Sequence, residues 1–205
     1  MTKKVFVFLA DGFEEVETIT PIDFLRRAGA EVTTVSISDL PLVNGAHSVV
    51  IAADKRISEF SGDADAIVLP GGMPGAVNLA ESRELDAIIR RFHAEEKLIC
   101  AICAAPSRVL AAKGLLAGRK CACYPGSEAD LPKDLPESPL WQEDAVVIDG
   151  HFITSRSAGS APQFSLAIIE RLFGRAKEDE VARQLLLRVP QPPPAGRRWT
   201  FGVNH

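Results

Sequence analysis

Short apolar runs recur along the chain, with the length and composition expected of strands buried on both faces of a sheet. The strand-like runs cover residues 5–10, 31–36, 66–69, 98–102, 119–124, 145–148 and 151–154. Asp149 and Gly150 supply a hairpin turn between the last two runs. Residues 39–51 contain an Asn44-Gly45 turn signal and predict a small hairpin at an edge.

Helical patterns alternate with these strands. They cover residues 14–29, 84–96, 104–113, 162–173 and 178–188. Pro21 lies inside the first of them, so either that helix kinks or a second segment starts there with Thr20 as its cap. The alternation of strands and helices predicts a doubly wound α/β fold, with a mostly parallel sheet and helices on both faces.

Cys103 stands where a predicted strand runs directly into a predicted helix that ends at Gly114. Such a turn projects its residue from the carboxyl edge of the sheet, with backbone N–H groups and the positive end of the helix dipole behind it. We therefore expect the Cys103 thiol to ionise more readily than a free thiol and to act as a nucleophile. The alternative is an inert, buried cysteine.

Two other uses of the cysteines are weaker. Cys100 and Cys103 form the C-x-x-C spacing of dithiol redox proteins, but Cys100 falls inside a predicted buried strand. Adding Cys121 and Cys123 approaches the spacing of a structural zinc site. These cysteines interrupt apolar strands instead of polar, glycine-rich turns, so we predict neither a dithiol pair nor a metal.

Acidic residues follow the first strand at the same edge of the predicted sheet. Glu14, Glu15 and Glu17 open the first helix, where acids are common even without a function. An acid beside the Cys103 sulfur in a partly dry site would repel the thiolate, so one group would keep a proton that is available for transfer. None of the four histidines is obviously placed to pair with Cys103, which weakens a cysteine-histidine protease interpretation.

The loop at residues 70–75 is rich in glycine and follows a predicted strand. Because glycine has no Cβ, such a loop lets the backbone approach a ligand closely. In doubly wound sheets the site lies beyond the carboxyl ends of the strands, where this loop and Cys103 would both lie.

Composition limits the remaining possibilities. The chain has 205 residues, enough for one sizeable core, and a net charge of −4, which gives no basic field for nucleic acid or an anionic membrane. No apolar run has transmembrane length, and four cysteines suit a reducing compartment, so we expect a cytoplasmic protein. We predict one domain over residues 1–188 and a proline-rich tail at 189–205 that is either mobile or docked on a partner subunit.

Five motifs, in this order and spacing, resemble the ThiJ/PfpI superfamily, most closely its branch that contains the human Parkinson disease protein and its bacterial relatives. The motifs are Glu14-Glu-Val-Glu-Thr18, Arg26-Arg-Ala-Gly29, Leu69-Pro-Gly-Gly72, Ala101-Ile-Cys-Ala-Ala-Pro106 and Thr154-Ser-Arg156. The similarity covers residues 3 to about 188. It implies a flavodoxin-like α/β sandwich, a homodimer, and a site without cofactor or metal.

The resemblance also implies a set of site residues. Cys103 would be the oxidisable nucleophile and Glu17 its protonated acid partner. The N–H groups of Gly72 and Ala104 would form an anion hole beside the sulfur. The residues that would line or brace the pocket are Glu14, Arg27, Gly71 and Tyr124.

Two positions depart from the family pattern. Tyr124 stands where relatives often have a pocket histidine, which changes the polar contacts offered to a substrate. Ser157-Ala158-Gly159 replaces the usual Gly-Pro-Gly of a loop that reaches the partner subunit's pocket. We therefore expect an altered pocket wall and an altered dimer contact.

The activity that the resemblance implies is attack by the Cys103 thiolate on a small dicarbonyl such as methylglyoxal, or on its early adducts with amines and thiols, including glycated proteins. Glu17 would then move a proton between adjacent carbons, and a hydroxy acid would be released. The alternative is a non-enzymatic oxidative-stress sensor or redox-regulated chaperone in which Cys103 is oxidised. A third possibility is a relic site on a stable fold.

Overall fold

A seven-stranded sheet lies at the centre of the computed structural model, which describes residues 2–60, 62–133, 135 and 137–187. The strands are β1 (Lys4–Leu9), β2 (Glu31–Ser36), β3 (Leu42–Asn44), β4 (Val50–Ala52), β5 (Lys55–Arg56), β6 (Ala66–Leu69), β7 (Leu98–Ile102), β8 (Lys120–Cys121), β9 (Leu140–Trp141), β10 (Val146–Asp149) and β11 (Phe152–Ser155). The α-helices are α1 (Glu15–Arg27), α2 (Gly75–Glu81), α3 (Arg83–Ala94), α4 (Ala161–Phe173) and α5 (Arg175–Gln184). The predicted tail at residues 189–205 lies outside the described residues.

The strand order of the main sheet is β10-β11-β7-β6-β1-β2-β5. All neighbouring pairs are parallel except β10 and β11, which form the predicted antiparallel hairpin. The prediction of a doubly wound, mostly parallel α/β sheet is therefore confirmed. From β1 the chain adds β2 and β5 on one side of the sheet and then adds β6 and β7 on the other side of β1. The winding direction therefore reverses at β1.

Helices cover both faces of the sheet because both faces are apolar. In β1, Val5, Val7 and Leu9 join a buried cluster with residues of α1, α4 and α5. Phe6 and Phe8, which alternate with them, join a second cluster with residues of α2 and α3 on the opposite face. A strand with two buried faces appears in the sequence as an uninterrupted apolar run, which is why the runs predicted these strands well.

Helix α1 is one continuous segment, although Pro21 lies inside it. The absent N–H of Pro21 removes a hydrogen bond to the Glu17 carbonyl, which ordinarily weakens a helix. Phe24 and Leu25, one turn further on, are buried in the core. Their burial holds the second half of α1 on the sheet, so tertiary packing decides between the alternatives that the sequence left open.

Several predicted elements differ in extent from the observed ones. The helix after Cys103 is present and ends at Gly114, but it consists of a π-helical turn at Pro106–Leu110 and a 3-10 turn at Ala111–Lys113. The helix predicted from residue 178 begins three residues earlier and ends at Gln184. The strand predicted at 119–124 is confined to β8, which pairs with β9 in a separate two-stranded sheet.

Short elements without a long periodic pattern were missed. Helix α2 has seven residues and opens on a glycine, and β5 has two residues. The predicted hairpin at 39–51 is present as β3 and β4, in its own two-stranded sheet. Its loop is fastened to the start of α1, where the Glu15 carboxylate accepts the His47 N–H at 2.6 Å and lies 2.8 Å from His47 Nδ1.

Within the described part of the chain, no helix is both long enough and apolar enough to span a bilayer.

A histidine pair at the amino edge of the sheet makes folding sensitive to acid. His93 Nδ1 lies 2.9 Å from His151 Nε2, and both rings are partly or fully buried. Burial lowers the pKa of both histidines below the ordinary value of 6.5, and the Arg119 charge lowers both further. The folded state therefore binds fewer protons than the unfolded state below pH 6.5, so stability is lost as the pH falls through that value.

We expect His151→Gln to reduce the loss of stability between pH 7.5 and 5.5, measured as the shift in urea midpoint. His47→Gln is the matched control, because His47 is exposed and its hydrogen bond to Glu15 raises its pKa. That group contributes stability at low pH, so its removal should enlarge the acid loss. Equal acid losses in both variants and the parent would contradict this account.

Candidate active site at the carboxyl edge of the sheet

Cys103 occupies a strained turn at the end of β7. Its φ angle is 64°, in the left-handed region that non-glycine residues rarely adopt. The Cys103 N–H donates to the Ser155 carbonyl at 2.9 Å, and the Cys103 carbonyl accepts the Tyr124 N–H at 2.7 Å. Bonds to two different segments hold the backbone in this conformation, and the thiol is left partly exposed at the edge of the sheet.

Glu17 brings a carboxyl group to the same place from the first turn of α1. The residue is fully buried, and its Oε2 atom accepts the Gly71 N–H at 3.0 Å. Its buried Oε1 atom makes no further hydrogen bond of ordinary geometry to the described residues. The Cys103 thiol and the Ala158 N–H both interact with this carboxyl group. The acid is thus positioned against the sulfur.

The glycine loop after β6 fits between the acid and the thiol. A Cβ atom at Gly71 would lie 2.6 Å from both the Cys103 Cβ and the Glu17 Oε2. Gly72 has a φ of 91°, and a Cβ there would collide with the backbone of Gly12 and Glu14. A side chain at Gly71 would force the thiol and the carboxyl group apart, and one at Gly72 would push the loop away from the backbone at the start of α1.

The thiol and the carboxyl group compete for protons. Burial raises the pKa of Glu17 to about 7, and the nearby Glu14 charge adds to the effect. Burial and the charge of Glu17 raise the pKa of Cys103 to about 12, although the N–H groups of Ala104 and Gly72 favour the thiolate. The first proton therefore leaves near pH 7, and the second is kept far above it because a thiolate would meet the Glu17 carboxylate as a second anion.

The expectation that Cys103 ionises more readily than a free thiol is therefore wrong in its simple form. It considered the helix N-terminus but not the burial of the sulfur or the negative charge of Glu17. At neutral pH the pair keeps at least one proton, which favours the sulfur because the pKa of Cys103 is the higher of the two. A thiolate forms only when that proton moves to Glu17.

The other predicted site residues are not all in one place. Glu14 caps α1, since its carboxylate accepts the Glu17 N–H at 2.7 Å, and its own N–H donates to Gly71 at 3.0 Å. Tyr124 is exposed, and its backbone N–H donates to the Cys103 carbonyl, so the two residues are neighbours. Arg27 is exposed at the opposite end of α1 and pairs with Asp23 at 2.7 Å, so it does not line this site within the chain.

The remaining cysteines lie outside the site formed by Cys103, Glu17 and the glycine loop, and all four cysteines are free thiols. Cys100 is fully buried in β7, and burial raises its pKa well above the usual range. Cys123 donates from Sγ to Glu128 Oε2 at 3.7 Å. Within the described ranges, the ligand atoms that come together as in a metal site belong to Glu14, Glu15 and His47 rather than to cysteines. Glu15 already accepts backbone N–H groups there, and we assign it a structural role.

Sequence reasoning missed two contributors to this edge. The Ser155 carbonyl, at the end of β11, and the Ala158 N–H, three residues later, both reach the site. Backbone N–H and carbonyl groups are present whatever the side chain is, so the residue types in the sequence do not indicate which of these groups reach the site. Pairing of β11 with β7 brings this part of the chain beside Cys103, and this pairing joins residues that are about 50 positions apart in the sequence.

A sequence model described as the DJ-1/PfpI family matches residues 3–171. The protein named DJ-1 homolog A of Arabidopsis thaliana is 38% identical over 98% of this chain, which spans only 50% of that relative. A protein of Pyrococcus abyssi named a deglycase is 34% identical over 76% of this chain and 91% of its own length. Among solved structures, oxidized DJ-1 of Toxoplasma gondii superposes with a TM-score of 0.84, at 39% identity, covering 90% of this chain and 98% of that one.

The shared proton predicts the pH dependence of thiol alkylation. We expect the rate at which iodoacetamide labels Cys103 to rise near pH 7, as the pair with Glu17 loses its first proton and a thiolate becomes available. In Glu17→Gln no carboxyl group ionises there, so the step near pH 7 should disappear. Labelling is followed by mass spectrometry of the Cys103 peptide, with buried Cys100 as the internal control. A step that persists in Glu17→Gln would refute the coupling.

Proposed function

The chain belongs to the DJ-1/PfpI family, and on this premise we propose that it is a cysteine-dependent, cofactor-independent enzyme of the glyoxalase or deglycase type. Its substrates are dicarbonyls such as methylglyoxal, or the early adducts that these form with amines and thiols, free or on proteins. The name of the archaeal relative supports the deglycase activity.

One observation carries the proposal: a buried carboxyl group and a partly exposed thiol interact directly beside Gly71, whose missing Cβ leaves room for that contact. A nucleophile and a proton carrier are the two groups that this chemistry requires. The N–H groups of Gly72 and Ala104 favour negative charge at the same point. A developing oxyanion is stabilised by such preorganised donors.

The reaction on methylglyoxal starts with attack of the Cys103 thiolate on the aldehyde carbon. A C–S bond forms, the carbonyl π bond breaks, and the oxyanion takes the proton of Glu17 to give a hemithioacetal. The Glu17 carboxylate then removes the C–H proton of that carbon and returns a proton to the neighbouring carbon, while the hydroxyl proton passes to the neighbouring carbonyl oxygen. These transfers convert the hemithioacetal to a thioester. Water hydrolyses the thioester, releasing lactate and regenerating the thiol.

We propose that the protein acts as a homodimer. Apolar side chains on the outer face of α1 and on the β3–β4 hairpin are about half exposed: Val16, Ile19, Leu42, Val49 and Val50. Two neighbouring elements with apolar outer faces are typical of an interface between subunits. The hairpin loop is fastened to α1 through Glu15, so both elements would meet a partner as one surface. We place this dimer in the cytoplasm.

A second candidate function is oxidative sensing, with or without chaperone activity. The same N–H groups and acid that favour a thiolate would stabilise a sulfinate, which is also negative and accepts hydrogen bonds. The similar Toxoplasma protein is described as oxidized, which supports this alternative. Turnover decides between the two functions, because a sensor needs no proton transfer between carbons.

We expect the protein to convert methylglyoxal to lactate without glutathione and without oxygen. Glu17→Gln should lower kcat by about 100-fold or more, because it retains a hydrogen-bonding side chain but cannot carry the proton. Cys103→Ser should abolish turnover. Cys123→Ser is the control, since Cys123 also lies beside a glutamate but outside the cluster. Normal turnover in Glu17→Gln would move the acid to another residue.

We also expect mild peroxide to convert Cys103 to a sulfinate without forming a disulfide with Cys100. Three residues of extended strand separate Cα atoms by roughly 10 Å, beyond the reach of an unstrained disulfide. Cys100 lies on that strand and is fully buried. Intact mass should therefore gain two oxygens. Loss of two hydrogens that disappears in Cys100→Ser would overturn the expectation.

A further inference from the structure

Resting on the proposed function, we propose that Arg156 forms an anion-binding subsite beside Cys103, so that the preferred substrates are dicarbonyls carrying a carboxylate at the end remote from the reacting carbonyls. The subsite lies on the segment that follows β11, at the same edge of the sheet as the thiol.

Strand pairing places Arg156 next to the nucleophile. In the parallel pair of β7 and β11, Ser155 stands opposite Ile102. The next residues along the two strands are Arg156 and Cys103, and adjacent strands lie about 5 Å apart. The Cys103 N–H donates to Ser155, immediately before Arg156. The backbone of Arg156 therefore lies beside that of Cys103.

The guanidinium group of Arg156 has donors to spare. Its Nη1 atom donates to the Glu143 carbonyl at 2.8 Å, which anchors the side chain. Arginine carries five N–H donors in a planar fork. No ion pair with a carboxylate is found for Arg156 among the described residues, whereas several other arginines have one. The fixed fork matches a carboxylate, which it binds through two parallel hydrogen bonds.

Open space adjoins this guanidinium group. Arg156 lines a cleft of about 490 Å³ together with Tyr124, Ser157, Gly159 and Ser160. It also lines an adjoining cleft of about 220 Å³ that extends to Cys123 and Trp141. Both of the sequence departures, Tyr124 and the loop at residues 157–159, border the larger cleft.

The cleft and the reacting groups share a wall. The loop that borders the cleft also directs the Ala158 N–H to the Glu17 carboxyl group, and Tyr124 is bonded through its backbone to Cys103. In this proposal, a substrate attacked at the sulfur extends past that loop toward Arg156. Methylglyoxal has only a methyl group beyond its carbonyls and cannot exploit that cation, whereas a longer dicarbonyl ending in a carboxylate can.

Two acidic residues near Arg156 oppose the binding of an anionic substrate and provide an internal test. Glu143 lines both clefts and Glu128 lines the smaller one, and both are exposed. Their charges repel an anionic substrate, but water screens exposed charges strongly. A fixed, partly buried guanidinium in direct contact outweighs them. Removing the Glu143 charge should therefore strengthen the preference for anions.

The test compares kcat/KM for 4,5-dioxopentanoate, a dicarbonyl ending in a carboxylate, with kcat/KM for methylglyoxal. In Arg156→Gln we expect the ratio of the two to fall about 10- to 100-fold, the range for a lost hydrogen-bonded charge contact, mainly through KM for the anion. Arg156→Lys should recover part of the ratio, since it restores the charge without the fork. Glu143→Gln should raise the ratio, and Arg171→Gln, an exposed arginine elsewhere, should leave it unchanged.

A second readout does not need turnover. Levulinate, a monoketone with the same remote carboxylate, should slow iodoacetamide labelling of Cys103 in the parent protein, whereas neutral 2-pentanone at the same concentration should not. Arg156→Gln should lose this protection. If neither dicarbonyl is turned over but levulinate protects, the proposed function fails and the anion subsite stands. If the ratio and the protection are the same in Arg156→Gln as in the parent, the subsite is refuted.

Discussion

Two acidic groups in a buried space can keep only one negative charge between them at neutral pH, and this constraint governs the site. Glu17 is fully buried and Cys103 is partly so, burial raises the pKa of both groups, and the charge of Glu17 raises the pKa of Cys103 further. The pair keeps a proton at pH 7, because removing the last proton would leave two anions in contact with little water to screen them.

The surrounding structure serves to keep the two groups in contact. Gly71 donates to the carboxyl group and has no Cβ that would push the sulfur away. Glu14 caps the helix that carries Glu17, and it also adds the charge that favours a protonated acid. Three neighbouring strands, β1, β6 and β7, end at this edge and deliver the three parts of the site. The positive φ at Cys103 is tolerated because two segments hold it there.

A cysteine beside a glutamate occurs twice in the molecule, and the comparison shows what the first pair adds. Cys123 donates to Glu128 at 3.7 Å, and burial raises its pKa to about 11. Glu128 is exposed, however, so water solvates its carboxylate. A thiol that meets a solvated carboxylate is simply held protonated. Cys103 differs because its acid is buried, so that the acid can keep the proton instead.

The sequence by itself determined the layering of the fold and the position of the nucleophile, because both depend on local patterns. Apolar runs such as residues 98–102 mark strands with two buried faces, and the change from strand to helix marks the turn at Cys103. The protonation of that thiol depended on the burial of Glu17, which lies 86 residues away in the chain. The place of Arg156 likewise depended on the pairing of β11 with β7. Desolvation and contact between distant segments are properties of the folded chain, so only the tertiary structure decided them.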